Sequence, residues 1–168
     1  MRERMKALWS GAAFAALLAV AGSGFAATQL VGAEAPDFVL KSLSGKNLRL
    51  SEYRGEVVML SFWATWCGDC RAQLEELGTM RDRYQDAGIE LLAVSLDQTA
   101  HQASETAQGA GYPVLHDAGG EVGRLYDVTK MPVMVLIDRG GVVRDVFEGF
   151  RRGNEEQYLE RVQALLRE

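Results

Sequence analysis

The chain is poor in several residue types that usually announce a function. Its 168 residues include two cysteines, three prolines and two histidines. Three scattered prolines exclude a collagen-like chain, and 48% hydrophobic residues exclude wholesale disorder. No repeat period is visible. A zinc site needs four ligands, and neither His101 nor His116 stands at a zinc-motif spacing from Cys67 and Cys70. An excess of positive charge is also missing. The net charge is −5, which argues against nucleic acid or an anionic membrane surface as partner.

Charge of either sign is absent from Ala7 to Ala33. Arg2, Arg4 and Lys6 precede this stretch, an apolar run fills its first part, and Gly24 and Ala26 stand at −3 and −1 of a small-residue cleavage pattern. The pattern predicts a secretory signal peptide over residues 1–26. An uncleaved membrane anchor and a buried N-terminal helix are the alternatives. Gly22, Ser23 and Gly24 break the apolar run early and favour cleavage. The expected location is the periplasm, where disulfides form and persist.

From residue 27 to 168 no linker or composition break appears, so a single domain is expected. DFVL and NLRL alternate around a Ser-Gly-Lys turn and read as a hairpin. EVVMLSFW, IELLAVSL and MPVMVLID hardly alternate and read as buried strands. Between the first two, apolar residues at three- and four-residue steps predict a helix from Gly68 to about Ala87, stopped by Gly88. TAHQASETAQGAG and EVGRLYDV predict shorter helices, and PVLHD a short strand between them. Arg139-Gly140-Gly141 turns the last buried strand into a partner, VVRDVFEGF. Asn154 with Gln157 has capping-box spacing at the start of a closing helix. The fold class is therefore α/β, a mixed central sheet with helices on both faces.

The two cysteines enclose Gly68 and Asp69 where a buried strand passes into a helix. A helix start favours negative charge and raises the thiolate fraction of Cys67. One sulfur is placed to attack a foreign disulfide, and Cys70, expected one turn in and more shielded, to resolve the mixed disulfide. A structural disulfide is the poorer reading, because so small a loop constrains little of the unfolded chain. Copper held by both thiolates stays open as an added role.

These motifs resemble the thioredoxin-like reductases of the bacterial cell envelope, the TlpA/ResA group of the redoxin (AhpC/TSA) superfamily. The resemblance runs from GAEAPDFVLKSLSGKNLRLSEYRGEVVMLSFWATWCGDCRAQLEEL through GYPVLHDAGGEVGRLYDVTKMPVMVLIDRGGVVRDVFEGF. It implies a thioredoxin fold with an N-terminal β-hairpin and a central insertion. It also implies a cis Met131–Pro132 bond facing the cysteines; from the residues alone, a trans strand-starting proline is equally open. Four positions depart from the group's pattern. Asp69 and Glu75 stand where many relatives have proline, and Gln73 and Ser61 stand where related proteins carry a carboxylate.

The resulting expectation is an exported thiol–disulfide oxidoreductase that reduces disulfides of partner proteins, with no bound cofactor and no metal. Cys67 is the expected nucleophile and Cys70 the resolving thiol. Pro132 shapes the substrate groove, Trp66 and Met131 meet the substrate, and Asp69 is either a simple helix-start acid or a tuner of the Cys67 pKa. The resemblance implies a membrane-bound thiol donor, with cytochrome c maturation or copper-centre assembly as settings. A Cu(I) chaperone using the same thiolates and a peroxide-reducing redoxin are the alternative functions. His101 and His116 are expected to have no role.

Overall fold

The uninterrupted apolar runs become the middle of one sheet. In the computed structural model, which describes residues 27–168, strands β3 (Val57–Trp63), β4 (Ile89–Ser95) and β6 (Val133–Ile137) lie side by side. All residues of β3 and β6 are buried. A strand covered on both faces cannot alternate apolar with polar, which is why these runs read as continuous. The expected leader over residues 1–26 lies outside the described residues; no described helix is long and apolar enough to cross a membrane.

The remaining elements are β1 (Val39–Ser42), β2 (Asn47–Arg49), α1 (Cys70–Tyr84), α2 (Ala100–Thr106), β5 (Val114–His116), α3 (Glu121–Leu125), β7 (Val143–Glu148) and α4 (Glu155–Leu166). The strand order is β2-β1-β5-β4-β3-β6-β7. The pairs β3–β4 and β4–β5 are parallel, and every other pair is antiparallel. The predicted hairpin is β1–β2, and it joins the sheet through β5. The segment between β4 and β6 thus supplies both the surface helix α2 and the strand on which the hairpin docks.

Alternate side chains of β3 serve different layers, as the two-residue strand period requires. Val58, Leu60 and Phe62 pack with Phe38, Val122 and Tyr126 on the α3 face. Val57 and Met59 pack with Leu77 of α1 and with Tyr158 and Val162 of α4 on the other. A smaller cluster at the same end as the cysteines joins Trp63, Cys70, Leu74, Ala93, Ala103 and Val114. Tyr126 is wholly buried, its hydroxyl donates to the Pro36 carbonyl (2.8 Å), and burial pushes its phenol well above the ordinary value.

Residues 32–35 close the far edge. Gly32 N–H donates to Val143 O, Val143 N–H to Ala33 O, and Ala35 N–H to Gly141 O. Val143 pairs with Ile137, and Ile137 faces the residue next to the start of β3, Val58. This attachment is therefore at the end of the sheet opposite the cysteines.

Two local expectations need correction. Helix α1 begins at Cys70, not Gly68, because Cys67 and Cys70 are joined by a turn (Cys70 N–H to Cys67 O, 3.4 Å). Cys70 thus opens the helix instead of lying one turn in. At α4 the Asn154 side chain caps nothing. Its backbone is already helical, and the Glu155 carboxylate takes the Gly153 N–H instead.

Candidate active site

Strand β3 ends at Trp63, and the chain then turns sharply: Cys67 N–H donates to Ala64 O (3.1 Å). Thr65 and Trp66 are the two central residues of that turn. Cys67 and Cys70 form a disulfide with Cα atoms 5.4 Å apart. Their exposure differs: Cys67 is half-buried, whereas Cys70 is 1% exposed. Met131 packs on the same cluster as both sulfurs, and the Met131–Pro132 bond is cis. The Pro132 carbonyl accepts from Gly149 N–H (2.7 Å), which ties this loop to the end of β7.

The two tryptophans have separated. Trp63 is buried against Cys70, and its indole N–H has no partner among the described residues. Trp66 is 69% exposed beside Cys67. Asp69 occupies the N-cap of α1, but its exposed carboxylate makes no capping hydrogen bond. It lines a shallow groove with Lys130, Met131, Arg151 and Asn154. The predicted site residues therefore converge on one end of the sheet, except that Asp69 lacks the capping contact a helix-start acid would make.

Behind Cys70 lies an uncharged chain. Ser61 Oγ donates to Gln73 Oε1 (3.1 Å), and Gln73 Nε2 donates to Tyr158 Oη (3.1 Å). All three residues are fully buried. Burial raises the Tyr158 phenol above its usual range, against a smaller opposing effect of the Gln73 hydrogen bond. The positions where related proteins carry acids thus hold a serine and an amide that satisfy one another.

A second polar group centres on a residue that the sequence pattern does not mark. Asp97, just beyond β4, is 1% exposed. Its Oδ1 accepts from Thr65 N–H (3.0 Å) and Thr65 Oγ1 (2.7 Å), and its Oδ2 from Thr65 N–H (3.2 Å) and Ser95 Oγ (2.9 Å). The Asp97 carbonyl contacts His116 Nε2 (2.9 Å), so His116 is a half-buried partner of this group and not a free loop residue. A lone aspartate after a strand gives little signal in a sequence; the polar Ser95 ending a buried run, two residues earlier, was the available hint. Among the described residues no group of three or more histidine, cysteine and acidic side chains could hold a metal.

The AhpC/TSA family pattern matches residues 31–146. The chain belongs to the AhpC/TSA family. Within it, thiol–disulfide oxidoreductase ResA of Geobacillus thermodenitrificans is 35% identical over 135 residues, 79% of this chain and 78% of the relative. ResA of Bacillus cereus strain ATCC 10987 is 32% identical over the same span. Among solved structures, one from Chlorobium tepidum provisionally assigned as thiol:disulfide interchange protein DsbE superposes with TM-score 0.78 at 37% identity, covering 81% of this chain and 97% of that one. The pneumococcal exposed lipoprotein thioredoxin Etrx1 superposes with TM-score 0.66 at 30% identity, covering 77% of this chain and all of the other. This AhpC/TSA member therefore has the thioredoxin fold, and its activity is that of a disulfide oxidoreductase.

Proposed function

We propose that this chain is an exported reductase of protein disulfides, acting in the periplasm and recharged by a membrane-bound thiol donor. The observation that carries this reading is the unequal exposure of two sulfurs beside an exposed tryptophan and the Met131 loop. In the reduced protein the Cys67 thiolate attacks one sulfur of a partner disulfide. The partner's S–S bond breaks, and its other sulfur leaves as a thiolate that takes a proton from water. Cys70, deprotonated in turn, attacks Cys67 Sγ and expels the second partner sulfur. The partner gains two electrons and two protons, and the Cys67–Cys70 disulfide results. An external dithiol must reduce it before the next cycle.

Several residues support the exchange. The unpaired N–H groups at the start of α1 favour the Cys67 thiolate. Pro132 brings no N–H to the groove, so Met131 offers the backbone groups to an extended partner chain, and the exposed Trp66 next to Cys67 adds an apolar contact. The Ser61–Gln73–Tyr158 chain holds no carboxylate, so the Cys70 proton passes to water. Asp69 opposes the thiolate on Cys67. Asp69→Asn accordingly lowers the Cys67 pKa, stabilises the reduced form and raises the reduction potential, on the order of 10 mV for an exposed acid. An unchanged potential in a glutathione titration removes that role.

The decisive experiment is trapping. With Cys70→Ser, partner proteins accumulate on Cys67 as mixed disulfides in the native envelope. Failure to recover any adduct that a thiol reductant releases overturns the assignment.

A further inference from the structure

We infer that Asp97 is a positioning residue for disulfide exchange, acting through Thr65 on the turn that presents Trp66 and Cys67; this rests on the exchange reading above. Asp97 is almost wholly buried, and the hydrogen bonds to its carboxylate come from Thr65 and Ser95. An ionised carboxylate only accepts hydrogen bonds, and the three donors facing it fit that form. Thr65 is held by two separate groups, its N–H and its hydroxyl, so both its backbone plane and its side chain are fixed.

Thr65 precedes Trp66 in the turn closed by Cys67 N–H and Ala64 O. With its N–H pointing inward to Asp97, the turn has one orientation, and Trp66 must face outward. Ser95 holds the other carboxylate oxygen and is itself paired with Trp63 in the sheet. The end of β4 thereby fixes the turn that follows its neighbour β3. A turn left free there still exposes a sulfur, but no longer in fixed relation to Met131 across the groove.

That distinction sets the test. A small aromatic disulfide needs only an accessible Cys67, whereas a protein disulfide must also dock beside Met131. Asp97→Asn offers one acceptor oxygen and turns an NH2 toward the donors. Thr65→Val removes the hydroxyl that donates to Asp97, on an otherwise exposed residue, and leaves the apolar core intact. Both variants should lower kcat/KM for a disulfide-bonded protein substrate about tenfold and change the rate with 5,5′-dithiobis(2-nitrobenzoate) less than twofold. Thr65→Ser should restore the protein rate, and the double variant should be no worse than Asp97→Asn alone. If both substrates slow together in proportion to the folded fraction, or Thr65→Val keeps full protein activity, the positioning role is wrong. A wild type that reduces neither substrate overturns the exchange reading itself.

Discussion

Two buried polar groups flank the disulfide, and they solve the same problem differently. Behind α1, Ser61, Gln73 and Tyr158 satisfy one another without charge. Beside the turn, Asp97 gathers donors from Thr65 and Ser95 around a carboxylate. The first group links three regular elements, β3, α1 and α4, whose apolar packing already fixes their places. Neutral hydrogen bonds of about 1 kcal/mol each are enough there. The second holds a turn of four residues with no regular hydrogen-bond ladder. Charge-assisted bonds, about twice as strong, hold it in one shape. Charge is concentrated where the backbone has the least other support.

The contrast can be broken at several points. Asp97→Ala leaves Thr65 and Ser95 donors without an acceptor and should destabilise the fold by about 3–4 kcal/mol in urea unfolding. A loss under 1 kcal/mol would mean that water replaces the carboxylate and the turn needs no anchor. Gln73→Leu strands two buried hydroxyls and should cost about 2 kcal/mol. Gln73→Glu sharpens the comparison by adding charge to the neutral group. Burial raises the folded pKa of such a carboxyl above its unfolded value of about 4.3, so the folded state binds more protons. The stability of that variant is therefore highest below pH 4 and falls as pH rises toward the folded pKa. Urea midpoints at pH 4 and pH 8, measured against wild type at each pH, check the sign.

Tyr158→Phe is a milder change, expected at about 1 kcal/mol near neutrality. Because the Tyr158 phenol is raised on folding, its share of stability is complete below the unfolded value of about 10 and is lost as pH climbs through the higher folded value. The phenylalanine variant should lose less stability in that alkaline window. The smallest effect concerns a partly exposed acid that also pins a turn. Burial alone would raise the Asp138 carboxyl, but hydrogen bonds from Val142 N–H, Arg144 and Gly140 N–H outweigh it and hold it below the usual range. Its contribution is present above the unfolded value of about 3.9 and disappears as pH falls through the lower folded one. Asp138→Asn should flatten the acid limb of the stability profile by a few tenths of a kcal/mol, far less than Asp97→Ala changes the neutral plateau.

How much of this was readable beforehand follows from the physics of each element. The strands β3 and β6 were legible because full burial leaves an apolar run with no alternation, and β4 because only Glu90 in it is not buried. The expected stop at Gly88 was legible because Gly88 takes a left-handed conformation (φ 86°), but it closes a 3-10 turn, Gln85–Ala87, that follows the end of α1 at Tyr84. The cysteines, Pro132 and Met131 were legible as a set through spacing and family resemblance. What escaped was non-local. The docking of β1 on β5 leaves no mark in either segment, and the Asn154 capping box failed because a neighbouring acid competed for the turn. Asp97 is 32 residues from Thr65, and a pairing at that distance has no periodicity to betray it.

The pairing of residues 32–35 with the start of β7 has a consequence for reach. The chain enters its fold at one end of a sheet whose β3 is about 20 Å long, and the disulfide stands at the other. A protein held through its N-terminus would carry its sulfurs on the face pointing away from the point of attachment. Partners would then be met from the open side, and a donor embedded beside the attachment would have to reach around the domain, or the domain would have to swing on its tether between the two.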